Sequence, residues 1–226
     1  MKFTVAGLLA LGSIATASHA AVITFEETGI APAAMLNSPG AAVPVASRLT
    51  DQYLGLGALF TSQGGFAAVV NHSPNPSATP SPPAVIGGTL ADGTLSYTAP
   101  ITITFVKPGD SSTLGTTTMV RILGDWFPLN SGTITMSAFG IDGTLLGSDT
   151  EFDNGSIGQG AALQLDFAQG IHRVVISGTS GTVGFDNLEF GPVSPVSASI
   201  PEPTVVSLLL ISLFMASAIS RRPINS

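Results

Sequence analysis

Short runs in which apolar residues alternate with Thr, Ser or Gln, cut apart by Gly, Asn and Pro, recur from residue 22 to residue 190. VITF opens the series at 22–25, ITITF follows at 101–105, and TITMSA at 133–138 runs on to Ile141. LQLDF at 163–167 and IHRVVI at 171–176 are separated by Gly170, and a last run spans 183–190. Side chains alternate across a strand, so each run offers one face to a core and the other to water. Asp142-Gly143 predicts a two-residue hairpin turn leading into Thr144-Leu145-Leu146. Strand following strand predicts an all-β fold, a single antiparallel β-sandwich of jelly-roll type, rather than β-α units. One helix is expected around Ser47 to Leu54, ahead of Gly55.

Composition narrows the chemistry. Charged residues make up 9 % of the chain against about 25 % in an average soluble protein, so Ser and Thr carry much of the polar surface. The absence of Cys excludes disulfides, thiolate nucleophiles, iron–sulfur clusters and Cys-type zinc sites. Residues 21–200 hold four basic residues (Arg48, Lys107, Arg121, Arg173) and are strongly acidic overall. Phosphate binding needs clustered Lys and Arg, so no nucleic-acid partner is expected. An anionic polysaccharide is expected to be held only through a bridging cation or its hydroxyls.

Both ends carry processing signals. Lys2, an apolar run over 3–17 and Ser18-His19-Ala20 have the build of a secretory signal peptide, with cleavage expected after Ala20; a buried N-terminal helix is the alternative. At the other end Pro201-Glu202-Pro203 precedes an uncharged stretch over 204–220 and then Arg221-Arg222. Seventeen residues at about 1.5 Å each reach roughly 25 Å, a short membrane span, and paired arginines mark its cytoplasmic side. Only Ser207, Ser212, Ser217 and Ser220 interrupt the stretch, which argues against a core helix with a polar face.

Tripeptide, span, basic end and signal peptide in this order resemble the PEP-CTERM sorting signal of Gram-negative bacteria. That resemblance implies export across the inner membrane and recognition by exosortase, a membrane-embedded transpeptidase-like enzyme. It also implies a setting of exopolysaccharide production, with a cell-surface or extracellular-matrix protein ending near Pro201 after processing and a membrane-anchored one before. Pro201, Glu202, Pro203, Arg221 and Arg222 would then be determinants for another enzyme, and nothing about the remaining chain's activity is transferred.

Between the signals, residues 21–190 are expected to form the sandwich. The Pro-rich stretch 71–84 is read as an exposed loop inserted into it, and 191–200 as a flexible stalk. The segments ITFEE at 23–27, DQY at 51–53, GALF at 57–60 and GFDNL at 184–188 are similar to extracellular PEP-CTERM proteins with a galactose-binding-like sandwich. Related sandwiches include carbohydrate-binding modules, some with a structural calcium near the paired termini.

Candidate sites follow. Glu26, Glu27, Asp51 and Asp186 would meet if the first and last strands pair, offering oxygen ligands suited to calcium; otherwise they solvate strand ends. Asp149, Glu151 and Asp153 would share one strand face, read as a solvated outer face rather than a calcium loop, because Gly160 stands where a bidentate Glu is needed. Trp126, beside Asp125, is core if buried; exposed on a loop, it could stack on a sugar whose hydroxyls bond Asp125, and Tyr53 is a second possible platform.

No catalytic residue is assigned. Only His72 and His172 survive maturation, and there is no Gly-x-Ser-x-Gly elbow, P-loop or dinucleotide fingerprint. Two carboxylates suffice for glycoside hydrolysis, but nothing in the sequence selects a pair. The expected function is that of a non-catalytic matrix protein associated with exopolysaccharide or biofilm. A calcium-supported carbohydrate-binding module is the alternative, and a polysaccharide hydrolase a third reading.

Overall fold

The computed structural model describes residues 20–27, 30, 40–71, 84–126, 132–153, 161–179 and 183–196. The signal segment before Ala20, the Pro-rich residues 72–83 and the whole sorting tail lie outside the described residues. The strands in chain order are β1 (Ala21–Ile23), β2 (Arg48–Leu49), β3 (Ala58–Thr61), β4 (Ala67–Asn71), β5 (Ala84–Thr89), β6 (Leu95–Ser96) and β7 (Ile101–Lys107). They continue with β8 (Asp110–Trp126), β9 (Gly132–Phe139), β10 (Leu145–Asp153), β11 (Ala161–Ile171), β12 (Arg173–Gly178), β13 (Val183–Phe190) and β14 (Ser194–Pro195).

These strands form two antiparallel layers. The first runs β2-β4-β5-β13-β8-β11, with β1 on β13 beyond the end of β5; the second runs β3-β7-β12-β9-β10. One apolar cluster fills the space between them. Val120, Ile122 and Leu163 of the first sheet meet Ile134, Met136 and Ala138 of the second, all fully buried. The alternation read from the sequence supplies this face: β9 alternates buried and half-buried residues along its whole length. The long strand β8 starts beside β7, where Val106 pairs Leu114, and continues into the first sheet, so one ladder joins the layers.

A second cluster lies outside the sandwich core. Phe66, Ala68, Val70, Val85, Leu95 and Tyr97 pack together with Val43, and every residue of β5 is buried. Strands buried on both faces show no alternation, which is why AAVVN and AVIGGT are not recognisable as strands by period alone.

Several expectations are corrected. In place of a helix over 47–54 there are two 3-10 turns, Val45–Ser47 and Leu54–Leu56, flanking β2. The Gln52 side chain accepts the Thr50 N–H and donates to the Arg48 carbonyl, local bonds that compete with helix. The turn at Asp142-Gly143 is longer than two residues. Phe139 pairs Leu145, Gly143 sits at φ +80°, Asp142 accepts the Thr144 N–H, and a bulge follows between Leu145 and Gly147. Gly170 lies inside β11 at φ +92°, and the break falls at His172. The start of the expected stalk is docked: Gly191 donates to the Met119 carbonyl, and Ser194 and Pro195 pair with Thr116 and Gly115.

A Cβ on Gly88 would collide with the Ala99 carbonyl oxygen, whereas one on Gly55 would meet nothing within 4 Å. Gly88→Ala is therefore expected to destabilise the domain by about 2 kcal/mol or more, and Gly55→Ala to stay within about 0.5 kcal/mol. Urea titrations of the two variants check the contrast.

Candidate functional site

The first and last strands do pair, Ile23 with Leu188 and Ala21 with Phe190. Just past this ladder two non-glycine residues adopt left-handed backbone, Phe25 (φ +62°) and Asn187 (φ +47°), a conformation that costs free energy unless its surroundings enforce it. Phe25 is enforced by burial. Its ring meets Tyr53 and Phe60 edge-on, with centroids 6.0 Å from each. The turn that lets Phe25 inward places Glu26 and Glu27 beside it. A Glu26 carboxylate oxygen accepts the N–H of Ala84 at the start of β5, and Glu27 accepts the Thr24 N–H (3.0 Å) and the Tyr53 hydroxyl (2.6 Å).

These carboxylates therefore serve as backbone and side-chain acceptors. Asp51 is exposed and accepts the Thr50 hydroxyl, and Asp186 is fully buried with one oxygen taking the Asn187 N–H at 2.6 Å. Among the described residues no group of three or more His, Asp or Glu stands close enough to hold a metal ion. Glu26, Glu27, Asp51 and Asp186 are each engaged by a donor of the chain itself. Tyr53 is corrected as a sugar platform: it is 6 % exposed, between Phe25 and Phe60, with its hydroxyl on Glu27. Asp125 and Trp126 belong to β8, paired with Gly184 and Val183 rather than on a loop, and their side chains lie outside the described residues. Ala20 is exposed immediately before β1.

On β10 Asp149 pairs Met136 and Glu151 pairs Ile134, yet Glu151 is exposed and Asp149 only half-buried, as a solvated face requires. Asp149 accepts the N–H of Gln164 on β11 at 2.8 Å. Charges on an edge strand blunt that edge against pairing with another chain.

Among the described residues, that register leaves the outer face of the second sheet without an acidic strand residue. Opposed residues form rows across it: Thr61, Thr102, Val175, Ser137 and Ser148 in one, and Ser177, Thr135 and Thr150 in the next. Hydroxyl pairs link the strands, Ser137 to Ser148 at 2.8 Å and Thr135 to Thr150 at 3.2 Å. A third row is Leu59, Thr104, Arg173 and Phe139, where the Arg173 guanidinium lies over the Phe139 ring, 4.2 Å from its centroid. Phe152, 66 % exposed, stands on the same face of β10. Five strands at about 4.8 Å make the face roughly 19 Å wide. The alternating Thr residues signal such a face in the sequence, but the Arg173–Phe139 contact joins residues 34 positions apart and has no local signal.

No protein-family model matches the chain, and no curated protein matches it. Among solved structures it is similar to a glycoside hydrolase family 43 arabinoxylan arabinofuranohydrolase from Bacillus subtilis, at 13 % identity and TM-score 0.33 over 59 % of this chain and 27 % of that one. It is also similar to a xylan-binding domain of the CBM 22 type, at 14 % identity and TM-score 0.32 over 70 % of this chain and all of that one. The chain spans about a quarter of the length of the arabinofuranohydrolase. Likenesses this distant assign neither ligand nor activity.

Burial raises the phenol of Tyr53, with Glu27 adding to it through its hydrogen bond and charge, and burial alone raises that of Tyr97. Both stay protonated in the folded chain well above the ordinary value of about 10, while the unfolded chain releases both protons there. Stability is thus complete below about pH 10 and falls as pH rises past it. Tyr53→Phe is expected to cost about 1 kcal/mol at pH 7 and to make the alkaline decline shallower, since one proton then drives it instead of two. Urea midpoints between pH 7 and 12 read both effects.

Proposed function

We propose that the chain is an exported, exosortase-sorted protein of the bacterial surface or extracellular matrix, non-catalytic, whose sandwich holds extracellular polysaccharide. The sorting half of this reading rests on the order of Ser18-His19-Ala20, Pro201-Glu202-Pro203 and Arg221-Arg222 in the sequence. The binding half rests on one observation, the outer face of the second sheet. On a chain of net charge −7 this face carries hydroxyls and no strand carboxylate. Ser and Thr hydroxyls both donate and accept, which suits them to sugar hydroxyls, and Phe139 and Phe152 add aromatic surface. This observation favours a glycan-holding protein over a purely structural matrix component.

Intact mass and fractionation of the protein from its host, with and without exosortase, test the sorting half. A chain ending near Pro201, found outside the cell only when exosortase is present, is the expected result. A full-length chain in the membrane fraction in both strains would overturn it. Affinity electrophoresis in gels containing the host exopolysaccharide tests the binding half. Retardation by the polymer is expected, and Ser137→Leu combined with Thr135→Leu is expected to reduce it several-fold without unfolding the domain. Unretarded wild-type protein would overturn the binding half.

A further inference from the structure

We infer that the glycan taken by the outer face of the second sheet is anionic, and that Arg173 receives its uronic-acid carboxylate; this deepens the glycan-holding reading and rests on it. Residues 21–200 have four basic side chains, and the structure occupies them differently. Lys107 pairs with Asp110 at 3.6 Å and Arg121 with Glu189 at 3.7 Å. Arg48 donates to the Val43 carbonyl at 3.3 Å and covers Phe66. Arg173 alone of the four has neither an ion pair nor a side-chain hydrogen bond among the described residues; its recorded contact is the face of Phe139.

Stacking of that kind consumes the flat face of a guanidinium and leaves the N–H groups around its edge, the fork that matches a carboxylate. The aromatic ring also holds the side chain in place, so less rotamer freedom is lost when an anion arrives. The surroundings agree. The neighbours of Arg173 along its row are Thr104, Leu59 and Phe139, and the adjoining row is Thr61, Thr102, Val175, Ser137 and Ser148. None is acidic, so on a chain that repels polyanions elsewhere this patch attracts them. Charge complementarity thus commits the face to a polymer carrying carboxylates among hydroxyls. Direct contact through Arg173 adds a route to those expected from the sequence, a bridging cation or the polymer's hydroxyls.

The test uses the protein purified from its host, the host exopolysaccharide, and the same polymer after chemical reduction of its uronic acids to neutral hexoses. All binding is measured with and without EDTA. The wild type is expected to bind the native polymer roughly tenfold or more tightly than the reduced one, and Arg173→Gln to lose that preference while still binding the reduced polymer. Arg173→Lys should recover part of it. Ser148→Glu, an exposed change that leaves Arg173 in place, should weaken native-polymer binding more than reduced-polymer binding. It guards against a folding defect in the Arg173 variants. Equal binding of both polymers overturns the inference and leaves the glycan reading standing. A preference that survives in Arg173→Gln overturns the assignment to Arg173, and binding that EDTA abolishes shows a bridging cation and overturns it too. Binding of neither polymer overturns both readings.

Discussion

Phe25 is the residue on which the closure of the sandwich depends. It follows the short ladder between β1 and β13, and its inward turn at positive φ brings its ring against Tyr53 and against Phe60 of the second sheet. Three rings with centroids 5.8 to 6.0 Å apart, meeting at steep angles, bind the chain's beginning to both layers at once. A three-residue strand could not hold that position by backbone bonds alone. The carboxylates next to Phe25 complete the attachment, since Glu26 caps the start of β5 and Glu27 takes the hydroxyl of the same Tyr53. The two carboxylates thus tie the turn after β1 to β5 and to Tyr53.

Legibility of the fold follows burial. Where a strand has one buried face, as in β7, β9 and β12, alternation shows it, and those segments are recognisable from residues alone. Where both faces are covered, as in β4 and β5, the pattern is a continuous apolar run with glycines, and the element is hidden. The longest strand, β8, is hidden for a different reason. It changes partners along its length, from β7 to β14 and then to β11 and β13, so no single period governs it.

The site was less legible than the fold, for a reason of dimension. Sequence reasoning finds groups that are near in the chain, such as Glu26 with Glu27 or Asp149 with Glu151, and it correctly puts each pair together. It cannot tell which way a strand is turned. One register sets Asp149 and Glu151 opposite Met136 and Ile134, and by that same choice sets Ser148 and Thr150 opposite Ser137 and Thr135. The hydroxyl rows and the placing of the carboxylates off them are consequences of one pairing decision. A slip by a single residue would exchange them. Arg173 over Phe139 depends on the same decision made again between β12 and β9.

The distribution of charge resolves a conflict built into such a surface. A broad sheet face without carboxylates, bounded by an edge strand bearing Phe152 and Leu145 at 66 % and 59 % exposure, invites pairing with a second chain. The carboxylates of β10 counter this by keeping charge at the edge, Asp149 on an N–H of β11 and Glu151 exposed. Charge there disfavours strand addition without closing the face. Sugar hydroxyls meeting protein hydroxyls exchange one set of hydrogen bonds for another of similar strength, so each contact contributes little. A polymer that repeats the contact many times, across one face and then across many copies of the protein, gains through effective concentration what no single contact supplies. The proposed matrix role would call for that kind of adhesion: weak enough at each point to rearrange, and strong in sum.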